Sequence, residues 1–275
     1  MRDTRSRPRQ QDKRPSRQWP REHAGPPAET QTLIWGMHPV EAALANPARR
    51  IGKLWLTENA GHRLAAAVSA RGLQPERVSP KDLDRRLGAD TVHQGALIET
   101  EPLADVALGV LAAAAEENGP LIVLDQVTDP HNVGAILRSG AVFGASGLVM
   151  TQRNSPPLGG VLAKAASGAL ELVPVALVGN LSRALAELAE AGVMTIGLDG
   201  DAPQLIDDAP LAGAVAIVLG AEGKGLRRLT RDTCRQVCSI ATAGSLASLN
   251  VSNAAAVALH LIAMRRRSSG RSSLG

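Results

Sequence analysis

The chain has no tyrosine, one phenylalanine (Phe143) and three tryptophans (Trp19, Trp35, Trp55) in 275 residues. So few aromatic faces exclude an extended base-stacking platform of the kind single-strand binders use. Cysteine is nearly absent as well. Cys234 and Cys238 are too few for a disulfide scaffold and fit a reduced, cytoplasmic protein. Two thiols four residues apart could begin a zinc site, but the two further ligands of a four-coordinate site are missing nearby, so no metal is expected. No apolar run reaches the ~20 residues of a membrane span, and no membrane partner is expected. The Arg-rich start has no apolar core of a secretory signal, so nothing argues for export.

Positive charge is scarce in the body of the chain. The net charge of +4 comes from the ends: residues 1–30 carry eight Lys/Arg against four Asp/Glu, and Arg265, Arg266, Arg267 and Arg271 follow Met264 with no acid. The stretch between is negative by about four charges. A polyanion would meet local basic patches and the two ends. Residues 1–30 also have almost no aliphatic side chains and are expected to be a disordered basic tail. A flexible tail is expected again over 268–275.

Apolar residues make up 44%, ample for a core and one or two domains. Residues 31–101 alternate short strands and helices: Ile51 to Leu56 and Ala96 to Glu99 read as strands, Arg63 to Arg71 as a helix stopped by Gly72. His93, in the loop Val92-His93-Gln94-Gly95, shows no carboxylate partner and reads as structural. A linker helix is expected within 102–119, starting at Ala104 and ended by Asn118-Gly119-Pro120. From 120 to 267 the repeats lengthen. Leu121 to Asp125 is almost wholly apolar, as in a parallel sheet covered on both faces. Strands at Gly147 to Met150, Val173 to Leu177, Val193 to Leu198, Ala214 to Leu219 and Val237 to Ile240 alternate with helices. The pattern predicts an α/β fold with a parallel sheet whose carboxyl-end loops hold any ligand.

Three polar clusters follow three of these strands. The first runs from Asp125 through Asp129-Pro130-His131-Asn132-Val133-Gly134 to Arg138. Asn132 is a candidate helix cap, and Arg138, set among apolar residues, must find a partner or reach solvent. The second is Gly220-Ala221-Glu222-Gly223-Lys224-Gly225, where glycines permit a tight turn and close approach to a ligand. It matches neither dinucleotide nor triphosphate loops. Lys224, Arg227, Arg228 and Arg231 follow it as the densest basic patch in the body, a candidate for RNA phosphates. The third is Ser245-Leu246-Ala247-Ser248-Leu249-Asn250-Val251-Ser252-Asn253, ahead of a helix whose Val251, Ala254, Ala255, Ala258, Leu259 and Ile262 share one face.

Together the clusters resemble, in order, the three motifs of the SpoU/TrmH family of RNA 2′-O-ribose methyltransferases in the SPOUT superfamily. Trp35-Gly36-Met37-His38-Pro39-Val40 and Val92-His93-Gln94-Gly95 further resemble the small ribosomal-protein-like substrate-binding domain of RlmB-type members, which act on a guanosine ribose of 23S ribosomal RNA. The resemblance implies a trefoil-knotted C-terminal domain, a homodimer, and S-adenosylmethionine as methyl donor. It places the donor against Gly220, Ile240 and Leu249, with Leu198 nearby. It carries over Asn132, Arg138, Glu222, Ser248 and Asn250 as catalytic side chains. Because a guanidinium stays protonated, Arg138 is expected to orient and stabilise, positioned by Glu222 and Asn132. The alternatives are a transfer-RNA ribose methyltransferase and a non-catalytic RNA-binding protein on the same fold.

Overall fold

A computed structural model describes residues 32–244 and 249–272. The basic tail expected over 1–30, and Ser248, lie outside them. Two sheets organise the chain. The smaller has four strands in the order β1-β4-β2-β3, formed by β1 (Thr32–Trp35), β2 (Ile51–Leu56), β3 (Glu76–Arg77) and β4 (Ala96–Thr100). β4 is antiparallel to both neighbours, whereas β2 and β3 run parallel. Helices α1 (Met37–Ala45), α2 (Glu58–Ala70) and α3 (Pro80–Leu87) connect them. α3 starts on a reciprocal capping box between Ser79 and Asp82, with Pro80 at its first position. α2 begins five residues before the expected start at Arg63, because Ala60 and Leu64 already bury their side chains one helical turn apart.

His93 is 9% exposed and does have an acidic partner. Its Nε2 lies 3.1 Å from Asp84 Oδ1, and its Nδ1 accepts from Gly95 N. The second contact makes Nδ1 the acceptor and leaves Nε2 to donate. The ring therefore fixes the loop before β4, a structural role.

The larger sheet has six strands, all parallel, in the order β10-β8-β9-β5-β6-β7. They are β5 (Leu121–Asp125), β6 (Gly147–Thr151), β7 (Val175–Val178), β8 (Met194–Leu198), β9 (Val215–Gly220) and β10 (Gln236–Cys238). Every residue of β5 and β6 is buried, as the apolar runs predict for strands covered on both faces. Helix α4 (Leu108–Glu117) starts four residues after the expected Ala104. The segment before it lies along β7 instead: Val106 N donates to Val175 O, and Asp105 Oδ1 accepts from Leu177 N. Helices α5 (Pro130–Phe143), α6 (Gly160–Ala166), α7 (Leu181–Glu190) and α8 (Arg228–Thr233) fill the crossovers.

The last helix, α9 (Val251–Ser272), extends into the stretch where a flexible tail was expected from 268. It packs on α5 through Val251, Ala255, Ala258, Leu259 and Ile262, all buried. Each of the larger three contributes about 1.5–3 kcal/mol by leaving water. Gly134 lets α5 approach α6: a Cβ there would stand 2.8 Å from Leu162 O and 2.9 Å from Ala166 N.

The two sheets share one hydrophobic core, which runs from Ile34 and Leu56 to Ile122 and Leu259. A buried ion pair sits where they meet. Arg49 (1% exposed) gives Nη2 and Nε to the Glu171 carboxylate (3% exposed), at 2.6 Å for the closest contact. Asn46 Nδ2 also donates to Glu171, and Arg49 Nη1 to Glu101 O, so each charge has hydrogen bonds beyond the pair itself. A second tie joins the two N-terminal motifs to α6. Gln94 Oε1 accepts from Met37 N at 3.1 Å and from Lys164 Nζ at 2.7 Å. Burial pushes the Lys164 ammonium below its usual pKa.

Candidate active site

Parallel strands in register end at one level. Cys238 lies opposite Leu198, Leu198 opposite Leu219, and Gly220 opposite Asp125. The three polar clusters therefore gather along one rim, although they are far apart in sequence. Helix α5 is capped by Asp129, whose side chain accepts from His131 N at 2.9 Å. Asn132, the expected cap, is relieved of that duty and turns its amide inward. Its Nδ2 donates to Glu222 Oε2 at 3.3 Å, and its Oδ1 accepts from Asn250 Nδ2 at 3.1 Å. Asn250 Oδ1 in turn accepts from Ser252 N at 2.9 Å and Ser252 Oγ at 2.6 Å. One residue thus starts α9 and joins the network. The result is a line of groups, Glu222–Asn132–Asn250–Ser252, with one member or more from each cluster.

The glycine loop earns its shape from Gly220. The loop closes on itself through Gly225 N to Ala221 O (2.8 Å) and Ala221 N to Gly225 O (3.1 Å). This folds the Gly225 carbonyl over Gly220, where any Cβ would lie 2.1 Å from Gly225 C. Glu222 is exposed at the turn and is held over Asn132 by this closure.

Two of the four basic residues expected to meet RNA are already engaged. Arg227 binds the fully buried Asp125 twice, through its main-chain N (2.9 Å) and Nε (2.6 Å). Arg231 Nη1 reaches Asp199 Oδ2 at 2.6 Å. Arg228 lies 3.6 Å from Asp232 on the open surface, a weak pair that water screens. Lys224 is exposed without a partner among the described residues. The patch is therefore narrower than its residue count, and the pairing of Asp125 and Asp199 with these arginines is what sequence reasoning missed. The signal lay in the sequence: a carboxylate ending a buried apolar strand must be paired.

Arg138 is exposed on α5 and has no hydrogen-bond or ion-pair partner among the described residues. The expected positioning by Glu222 and Asn132 is not found. Those two bond to each other, and six residues of helix turn Arg138 away from Asn132. Leu198 ends β8 nearly buried, and Ile240 packs half-buried against the same core. The main-chain groups of Ile240 and of Leu249 have no hydrogen-bond partner among the described residues. Unpaired backbone at a half-buried rim suits a ligand that presents polar edges. Cys234 is not a reactive thiol. Burial, with Asp125 nearby, pushes its pKa up to about 12. Burial raises Cys238 too, with Asp208 adding to it. No three metal-ligating side chains gather among the described residues.

Comparison with known proteins decides what this rim belongs to. Residues 119–260 match the SpoU rRNA Methylase family. The chain is a member of the SpoU methylase family. Residues 33–106, the smaller sheet, match the RNA 2′-O ribose methyltransferase substrate-binding domain that accompanies it. Among SpoU relatives, a Shewanella oneidensis protein named 23S rRNA (guanosine-2′-O-)-methyltransferase RlmB is 40% identical, over 86% of this chain and 99% of that one. A protein of the same name from Ralstonia nicotianae is 41% identical, over 86% and 96%. The SpoU methyltransferase AviRb from Streptomyces viridochromogenes, solved with the cofactor AdoMet, shares the fold. Its TM-score is 0.72 at 23% identity, over 86% of this chain and 91% of that one. A putative RNA methyltransferase of the TrmH family from Porphyromonas gingivalis superposes with a TM-score of 0.69 at 26% identity, over 86% and 91%. The α/β architecture with a parallel sheet is that of SpoU methyltransferases.

Proposed function

We propose that this chain transfers a methyl group from S-adenosylmethionine to the ribose 2′-hydroxyl of a guanosine in 23S ribosomal RNA. The observation that carries the reading is the Glu222–Asn132–Asn250 network, which draws all three SpoU motifs to one rim. Two relatives named for that reaction, about 40% identical over nearly their whole length, supply the substrate.

The donor suits the rim where the main chain of Ile240 and Leu249 is unpaired: those two and Gly220, at the end of β9, would hold it by backbone contacts, beside Leu198. Bound there, the sulfonium supplies an electrophilic methyl group. The chain's own groups must align the attacking oxygen and assist loss of its proton. Asn132 and Asn250 are fixed amides at the rim, and Glu222 holds Asn132 in place. Arg138, spending no donor on the protein's described residues, keeps its whole planar fork for a ribose hydroxyl or an adjacent phosphate. It orients and stabilises charge, and the proton passes to water or an RNA phosphate. Ser248 completes the set of side chains that the motifs carry. Lys224 and Arg228, and the outer edges of Arg227 and Arg231, meet RNA backbone.

The same reading carries a homodimer and a trefoil knot in the C-terminal domain. Within the chain, Phe143 of α5 meets His260 of α9 edge-on, ring centroids 5.5 Å apart, and the dimer finds its support in the exposed apolar side chains next to it. Val142 and Val257 beside that contact are 71% and 43% exposed. The work of such a protein lies in the cytoplasm, and among the described residues no helix is long and apolar enough to cross a membrane. Methyl transfer from labelled S-adenosylmethionine to unmodified 23S ribosomal RNA and to unmodified transfer RNA tests the reading. Incorporation at one guanosine ribose of the first supports it. Incorporation only in transfer RNA, or no donor binding by calorimetry, overturns it.

A further inference from the structure

The methyl-transfer reading leaves one cavity of the rim unused. A space of about 290 Å³ opens beyond the ends of β5, β6 and β7, walled by Gln126, Arg153, Asn154, Ser182, Arg227 and Leu229 among others. Gln126, Arg153, Asn154 and Ser182 have no side-chain hydrogen bond or ion pair among the described residues. Arg227 is held to Asp125 through Nε, which leaves both Nη groups unspent. Gln126 and Asn154, moreover, both stand in the left-handed region at φ +62°. That conformation costs of order 1 kcal/mol or more in a side-chain-bearing residue, and such positions cluster at ligand sites.

The chemistry of the walls selects the ligand. Two guanidinium groups match a phosphate. The unpaired amides of Gln126 and Asn154 and the Ser182 hydroxyl offer both donors and acceptors, which match the edge of an unpaired base rather than a duplex. The volume lies at the small end of ligand pockets, right for one nucleotide. In a chain so poor in aromatics, a base must be read by hydrogen bonds rather than stacking. Position connects the cavity to the reaction: Asp125, which anchors Arg227, is the sheet partner of Gly220, and Arg227 follows Glu222 by five residues.

We propose that this cavity binds one nucleotide of the substrate RNA flanking the methylated one, with Arg153 and Arg227 on its phosphate and Gln126, Asn154 and Ser182 on its base. The inference rests on the RNA-methylating function above and adds a specificity site to it. Arg227 is a poor probe, since its loss strands a buried carboxylate. Arg153 is exposed and unpartnered, so Arg153→Gln leaves the fold intact. Filter retention of in-vitro-transcribed 23S ribosomal RNA, across a salt series without donor, reads binding apart from catalysis. Arg153→Gln should weaken binding about tenfold and lower the slope of log affinity against log salt by about 0.7–0.9. Donor affinity by calorimetry should not change, and Arg153→Lys should keep the slope. A wild-type slope and affinity in Arg153→Gln would overturn the proposal. So would saturable binding of free guanosine monophosphate that Arg153→Gln abolishes while RNA binding stays intact, which marks a small-molecule site. Wild-type protein that binds RNA but transfers no methyl group would sink the function and leave this test standing.

Discussion

Asn250 holds two positions at once, and two substitutions separate them. Its Oδ1 caps α9 through Ser252, while its Nδ2 reaches Asn132. Asn250→Ala deletes both. Loss of the cap costs about 1 kcal/mol, and loss of the amide bond about another. For a chain of this size that lowers the melting temperature by roughly 4–8 °C. Asn250→Asp keeps the acceptor and is as good a cap, with its charge favourably placed at a helix N-terminus. It removes the donor, though, and sets a carboxylate against Asn132 Oδ1. Its melting temperature should fall by about 2–4 °C, roughly half the loss of Asn250→Ala. Displacement of Asn132 by an ångström or so is enough for about a hundredfold loss of turnover. Both variants should therefore lose methyl transfer alike, measured with labelled donor at saturation, and differ only in thermal unfolding. An Asn250→Asp protein that turns over at the wild-type rate would refute the reasoning and leave Asn250 a helix cap only.

Four further outcomes follow from the same geometry. Arg138→Lys retains the charge but not the planar fork, so turnover should fall with donor affinity unchanged; near-wild-type turnover would remove Arg138 from the reaction. Arg49→Ala strands Glu171 inside the protein and should cost about 3–5 kcal/mol, read by denaturant unfolding, with much of it recovered when Glu171→Met is added to Arg49→Met. Gly220→Ala drives a Cβ into the Gly225 main chain; the displaced loop should cost about 1–3 kcal/mol and weaken S-adenosylmethionine binding by calorimetry. The fourth is a pH effect. The Cys234 thiol is raised to about 12 in the folded chain from an ordinary value of 9.0. Between those values the unfolded chain has lost the proton and the folded chain keeps it, so stability is whole below pH 9 and falls as pH rises toward 12. With no tyrosine to titrate in that range, Cys234→Ala should visibly flatten the alkaline loss of stability.

The alternation of apolar runs made the large sheet legible: β5, β6, β8 and β9 lie within a residue or two of their expected bounds. Those strands are buried on both faces, so their composition alone marks them. β3, two exposed residues long, has no apolar run to mark it, because an edge strand is made by its partner rather than by its own side chains. The site was legible as types and order, not as pairings. Nothing local tells Asn132 to pass the cap to Asp129 and meet residues 90 and 118 positions away. Arg227 and Arg231 read as a free basic patch because their acids, Asp125 and Asp199, are brought to them by the sheet.

The order in which the network is assembled has a consequence during synthesis. Asn132 and Glu222 leave the ribosome well before Asn250, and α9 must dock on α5 before the third amide arrives. A nascent chain that has already folded its smaller sheet therefore still lacks the closed Glu222–Asn132–Asn250 network. The three motifs are joined only by the last helix to be made, so the site is the last part of the fold to be completed.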